Sequence, residues 1–287
     1  MREINIIDVH THTFPEAIAR RAMDTINEGP HIKPFTDGTN NGLRRSMEEA
    51  GVDMSILLPV ATNEKQPYKL NEAAVRVNET TEETGLLSFG AMFPGDPNWK
   101  QEMKHIADLE LKGIKLHPAF QRKRFDSLDY MRIVGRAAEL GLVVIVHGGK
   151  EPAFDEYPMC APEYVVKVLE ETQADKLVIA HMGGDWMWKE AREHLCGLPV
   201  WFDTAFSFGS MTPLPEYPRE DEELRLCRTE FLLSYIREHG VEKVMFGSDS
   251  PWSGQKHEIE LLKSVGLTDD ELRLILGENA KRLLNIK

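Results

Sequence analysis

Two histidines stand two positions apart, at His10 and His12. On an extended strand the side chains at i and i+2 share a face, so both imidazoles can reach one ion. Neutral imidazole and carboxylate suit zinc and similar divalent cations. Further along, His117, His147, His181 and Asp249 each close a short apolar run. Five of the ten histidines fall at such run ends, a position that surface histidines have no reason to select. Gathered in one place, these groups could hold a cation that activates water or polarises a carbonyl.

The runs are the elements that must do the gathering. They span Ile4–Val9, Val52–Val60, Leu86–Phe93, Gly113–Leu116, Leu142–Val146, Leu177–Ala180, Val200–Thr204 and Val244–Phe246. Short, near-continuous apolar runs suit buried parallel strands. Helical patterns lie between them. Asn41 is expected to cap a helix ending at Ala50, and others are expected over Leu70–Glu83, Asp126–Leu140, Pro162–Glu171 and Asp221–His239. The third of these should bury Leu128, Met131, Val134 and Ala138; the last should bury Leu224, Cys227, Phe231 and Tyr235. From Lys256 to Ile286 the tail reads as helical, with a capping box at Thr268 and Glu271. Eight strand–helix repeats predict an α/β fold, a (β/α)8 TIM barrel with C-terminal helices, as one domain over residues 1–287. Strand C-terminal ends converge on one mouth in that fold. Segments 27–40 and 209–220 read as long loops bordering it.

Bulk properties narrow the class. The chain has 287 residues and a formal net charge of −13, which disfavours nucleic-acid partners. Cys160, Cys196 and Cys227 are scattered and odd in number, the pattern of reduced thiols rather than a disulfide frame. The first residues show no secretory signal and no run is long enough to span a bilayer. A cytoplasmic enzyme without membrane or nucleic-acid partners is expected. It would act on a small molecule, and a homodimer is the base-rate expectation.

The motifs DVHTH at 8–12, VIVHGG at 144–149, IAHMGG at 179–184 and FGSDSPW at 246–252 resemble the amidohydrolase superfamily. More narrowly they are similar to its amidohydrolase-related branch, which includes aminocarboxymuconate-semialdehyde decarboxylase and several hydrolases. The resemblance runs from Asp8 to the C-terminal helices. It implies one divalent ion, zinc before manganese, held by His10, His12, His147 and Asp249. It also implies that Asp249 serves as general base and that His181 polarises the substrate or assists proton transfer. The expected reaction is hydrolysis of an amide, lactone or ester in a small organic acid. The alternative is nonoxidative decarboxylation of an aromatic or unsaturated acid. A non-catalytic barrel would have no need of the full set of groups.

Other residues are open at this level. His117, with Lys115 two residues back on the same face, is expected to contact substrate; a structural hydrogen-bonded pair is an equal alternative. No carboxylate ends the third strand, which argues against two metals. Asp8 shares the face of His10 and could fix a histidine tautomer, or simply bind a loop backbone. Asp203 is a weaker mouth candidate. Trp252 is expected to wall the substrate pocket, as are Trp186 and Trp188, though aromatic residues there are as often plain packing. Arg122, Lys123 and Arg124 read either as an anion site or as a solvated loop.

Overall fold

The computed structural model describes residues 5–154, 157–220 and 226–286. Nine parallel strand segments form eight staves. They are β1 (Ile7–Thr11), β2 (Met54–Leu57), β3 (Leu86–Ser88), β4 (Gly90–Ala91), β5 (Gly113–Leu116), β6 (Val143–Val146), β7 (Leu177–Ile179), β8 (Trp201–Asp203) and β9 (Val244–Met245). Each pairs with the next, save at the break between β3 and β4. The seam between β9 and β1 closes through backbone bonds. Val9 N–H donates to Phe246 O at 2.9 Å and Asp249 N–H to His10 O at 2.9 Å. Thr11 and Ser250 form a parallel bridge. The expected (β/α)8 barrel is the fold observed.

The third stave is expected to be continuous from Leu86 to Phe93, but it breaks at Phe89. Two asparagines of the helix that precedes the stave, Pro67–Asn78, take over its hydrogen bonds. Asn78 bonds both backbone groups of Ser88, and Asn71 bonds both of Ala91. They sit seven apart, two turns of one helix face.

The barrel interior is packed by Ile7, Val9, Ile56, Leu87, Phe89, Val143, Ile145, Val178 and Met245. Leu283 and Leu284 of the final helix join that cluster. Residues of opposite parity, such as Leu116, Val144 and Phe202, pack outward on the helices. Three helices escaped the pattern reading: α1 (Ala19–Ile26), α5 (Trp99–Asp108) and α8 (Trp188–Leu195). Helix α2 (Asn40–Ala50) is capped by Thr39, whose hydroxyl accepts from Gly42 N–H, and not by Asn41. The segment expected over Leu70–Glu83 is two helices, α3 (Pro67–Asn78) and α4 (Thr81–Thr84).

Helix α6 (Leu128–Glu139) buries Tyr130, Ile133, Val134 and Ala137, while Leu128 is exposed. The expected stripe is therefore rotated, because Tyr130 reaches inward to donate to Gln121. Helix α7 (Pro162–Thr172) begins at its proline as expected. Helix α9 (Thr229–His239) starts later than expected, with Cys227 outside it; residues 221–225, including Leu224, lie outside the described residues. Then come α10 (Gln255–Ser264) and α11 (Asp269–Arg273), the latter with the expected Thr268–Glu271 capping box. A π turn over Leu274–Glu278 leads into α12 (Asn279–Leu284). Among the described residues, no helix is long and apolar enough to cross a membrane.

The two long loops meet. Ile32 bridges Pro213, Lys33 N–H donates to Thr212 O at 2.7 Å, and Leu214 N–H donates to His31 O at 2.8 Å. His31 stacks on Tyr217 at 3.8 Å. The loops leave β1 and β8, the neighbours of β9, so their strap crosses the end of β9. Phe35 N–H ties it to Pro251 O at 2.7 Å.

Two outcomes are expected. A methyl added at Gly113 would stand 2.4 Å from both the Phe89 ring and Val143 O, so Gly113→Ala should lose about 1–3 kcal/mol in urea unfolding. Burial pushes Glu258 from 4.5 up to about 8, against a bond from Ser253. Across that window the unfolded chain releases the proton while the folded chain keeps it, so stability falls as pH rises. Glu258→Gln should flatten this slope, read by unfolding at about pH 5 and about pH 8.

Candidate metal centre and active site

The expected residues meet at the mouth as a continuous row of rings. Centroid separations are 5.1 Å for His10–His12, 5.0 Å for His10–His181, 4.7 Å for His181–His147 and 4.2 Å for His147–His117. Among the described residues, three sets of donors lie close enough to share an ion: His10, His12 and Asp249; His10, His181 and Asp203; His117, His147 and Glu151. His147 thus sits beside the first set rather than in it, joined to it through His181.

Hydrogen bonds assign the imidazole tautomers. His10 Nδ1 bonds Asp203 Oδ2 at 2.9 Å, and His12 Nδ1 bonds Leu58 O at 3.0 Å. His181 Nδ1 bonds Ala205 O at 2.9 Å, and His147 Nε2 bonds Lys150 O at 2.7 Å. Each partner is an acceptor, so each of these nitrogens carries the proton. The opposite nitrogens then carry lone pairs, and they face one another. His10 Nε2 is 3.2 Å from His12 Nε2, and His181 Nε2 is 3.0 Å from His147 Nδ1. Asp249 Oδ1 lies 3.3 Å from His12 Nε2 and 3.6 Å from His10 Nε2. Acceptors at these distances repel unless positive charge lies among them. This donor set fits a divalent cation, each ligand oriented by a partner behind it.

Electrostatics agree. Burial, then Lys115, hold His10 well below its ordinary value, so its imidazole stays neutral. Burial, then His117, do the same to His147. At Asp249 burial raises the carboxyl, but the imidazoles of His12, His10 and His181 around it outweigh that; the group is held far below the carboxylate range and stays ionised.

The folding of each segment explains these positions. β1 pairs Asp8 with Ser55 and Thr11 with Leu57, a register shift within the strand. It breaks the alternation that would put Asp8 on the face of His10. The Asp8 carboxylate instead meets Ser248 and Gln255, and the partner of the His10 ring is Asp203. Lys115 is fully buried, its Nζ 3.0 Å from His10 Nε2, and burial lowers it to about 8 against the pull of Asp203, Asp249 and Glu151. It stands beneath the histidines rather than open to substrate. His117 lies at the mouth, its Nε2 3.3 Å from Glu151 Oε2 and its N–H donating to Gln121 Oε1 at 3.0 Å. Gln121 also donates to Ala61 O and Met92 O, tying three strand ends together.

Trp252 is half-buried just past Asp249, its N–H donating to Asp249 O at 2.8 Å. Trp188 donates to His181 O and holds that turn. Of the three cations after β5, Lys123 pairs with Asp129 and Arg124 with Asp126, as a solvated loop would. Arg122 lies over the Phe154 ring at 5.7 Å.

Two mouth carboxyls have no signal in sequence. Glu151 follows His147 by four residues in a loop, where spacing implies no contact. Asp185 is buried with Oδ1 unpartnered, and burial, then Glu151, push it well up.

A parallel barrel whose strand ends present histidines and an aspartate to one centre defines an enzyme of the metal-centred barrel class. The amidohydrolase family model matches residues 7–286, and the chain belongs to that family and its superfamily of enzymes. Similar solved structures include a 5-carboxyvanillate decarboxylase from Sphingomonas paucimobilis, at 16% identity and TM-score 0.67, covering 99% of this chain and 100% of that one. A dihydroxybenzoic acid decarboxylase from a Polaromonas species, solved with bound manganese and an inhibitor, 2-nitroresorcinol, has 13% identity and TM-score 0.70, covering 99% and 98%. A probable 2-pyrone-4,6-dicarboxylic acid hydrolase from Acinetobacter baumannii, with citric acid bound, has 16% identity and TM-score 0.63, covering 99% and 100%. At such identities these likenesses establish the shared fold. No curated protein matches the chain.

Asp203→Ala removes the acceptor that fixes the His10 tautomer. Divalent-ion affinity is expected to fall about 10–100-fold, measured by calorimetric titration with zinc.

Proposed function

We propose that this chain is a metal-dependent hydrolase of a small organic acid bearing an amide, lactone or ester bond. The observation behind this reading is the set of inward lone pairs on His10, His12 and Asp249. Those three would hold one divalent ion, zinc or manganese, with His147 as the fourth ligand implied by the resemblance. His147 Nδ1 is turned to His181 Nε2, so joining the set requires its ring to shift toward His10. The ion supplies Lewis-acid polarisation of the carbonyl.

The chain's own groups do the rest. Asp249 Oδ1 faces the histidines, which leaves Oδ2 to take a proton from water and return it to the leaving group. His181, held by Asp203 and Ala205, turns its bare Nε2 into the site; once that nitrogen has taken up a proton, it can donate to the developing oxyanion. His117, Trp252 and the Glu151 carboxylate border the substrate. Lys115 adds positive charge below it.

A second reading is nonoxidative decarboxylation of an aromatic or unsaturated acid. The similarity to decarboxylases from Sphingomonas and Polaromonas favours it. The same residues would then bind the substrate's carboxylate and protonate the carbon it leaves.

Elemental analysis of the purified protein should find about one equivalent of zinc or manganese. Asp249→Asn should lower turnover about 10²–10⁴-fold with an unchanged circular dichroism spectrum. Full activity in that variant rejects the assignment. Release of carbon dioxide, rather than uptake of water into product, selects the second reading.

A further inference from the structure

We propose that Asp8 is a positioning residue that locks the backbones of His10 and Asp249 together from the outer side of the barrel, and thereby sets the affinity of the centre for its ion. This rests on the reading of His10, His12 and Asp249 as ligands.

Asp8 is fully buried, yet its carboxylate points away from the cavity that the histidines line. Its neighbours Ile7 and Val9 face the interior cluster. One oxygen, Oδ1, accepts from His10 N–H at 3.1 Å and from Ser248 N–H at 3.0 Å. The other, Oδ2, accepts from Ser248 Oγ–H at 2.5 Å and from Gln255 Nε2–H at 2.8 Å. One side chain thus bonds the first strand, the last strand's loop and helix α10. Gln255 in turn donates to Ser55 on β2 at 2.9 Å.

The conformation being held is a costly one. Asp249 has φ of 61°, a left-handed geometry that a non-glycine residue keeps only where its surroundings over-determine it. One flanking residue is tied to Asp8 directly and the other through it. Ser248 bonds it twice, and Ser250 N–H donates to Ser248 Oγ at 3.0 Å. Glycine would adopt this φ freely but would remove the ligand. The chain therefore keeps aspartate and supplies the restraint from behind. Losing that restraint lets the carboxylate swing from His10 and His12 although no ligand has changed.

The exchange of one oxygen for nitrogen tests this. In Asp8→Asn the amide oxygen still accepts the two backbone N–H groups, but its NH2 now opposes the Gln255 NH2. Adding Gln255→Glu restores a donor–acceptor pair there. Cobalt(II) titration by calorimetry, with the visible spectrum of the bound ion, reads the ligand geometry directly. Asp8→Asn should bind about 10–100-fold more weakly with an altered spectrum, and the double variant should recover part of the loss. Wild-type affinity and spectrum in Asp8→Asn overturn the proposal, as does weakened binding that the double variant leaves wholly unrecovered. If Asp8→Asn does not fold, Ser248→Ala, which removes the hydroxyl bonds alone, decides by the same readouts. Failure of the wild-type protein to bind cobalt would instead overturn the metal-centre reading itself.

Discussion

Every catalytic possibility in this chain depends on one seam. Residues 10 and 249 come from opposite ends of the sequence, yet Asp249 N–H donates directly to His10 O. A barrel closes only when its last strand finds its first, and here the bond that closes it also sets His10 and Asp249 side by side. Stability and site geometry are therefore not separable at this point. The loop that carries Asp249 is strained, and the strain is held by contacts on both of its flanks.

Electrostatic logic follows from that geometry. Carbonyls and a carboxylate behind the rings claim one nitrogen from each of His10, His12, His147 and His181 and leave the other with its lone pair. Burial keeps His10 and His147 from simply taking up protons. The result is a cavity rich in electron pairs and poor in donors, with the Lys115 ammonium as its near neighbour. Such a cavity favours a cation over a proton, and the oriented tautomers mean that most of these rings need little rearrangement to receive one.

Much of this was legible in the residues themselves. Apolar runs ending in histidine located the strands and placed His10, His12, His117, His147, His181 and Asp249 at one mouth. What escaped has identifiable causes. The register shift in β1 leaves the spacing of Asp8 and His10 unchanged while turning their side chains apart. Glu151 enters the site from a loop, where no periodicity announces a contact. Asp203 looked like one mouth residue among several, because its bond to His10 spans 193 positions. The rotated face of α6 follows from Tyr130, whose hydroxyl finds Gln121 inside, a preference that counting apolar residues misses.

The strap between the loops after β1 and β8 gives the mouth a handedness. It roofs the sector of Asp249 and is moored to Pro251. Its mooring is the Pro251 backbone rather than a mouth histidine, so substitutions along the strap change what borders the mouth while the groups beneath it keep their places.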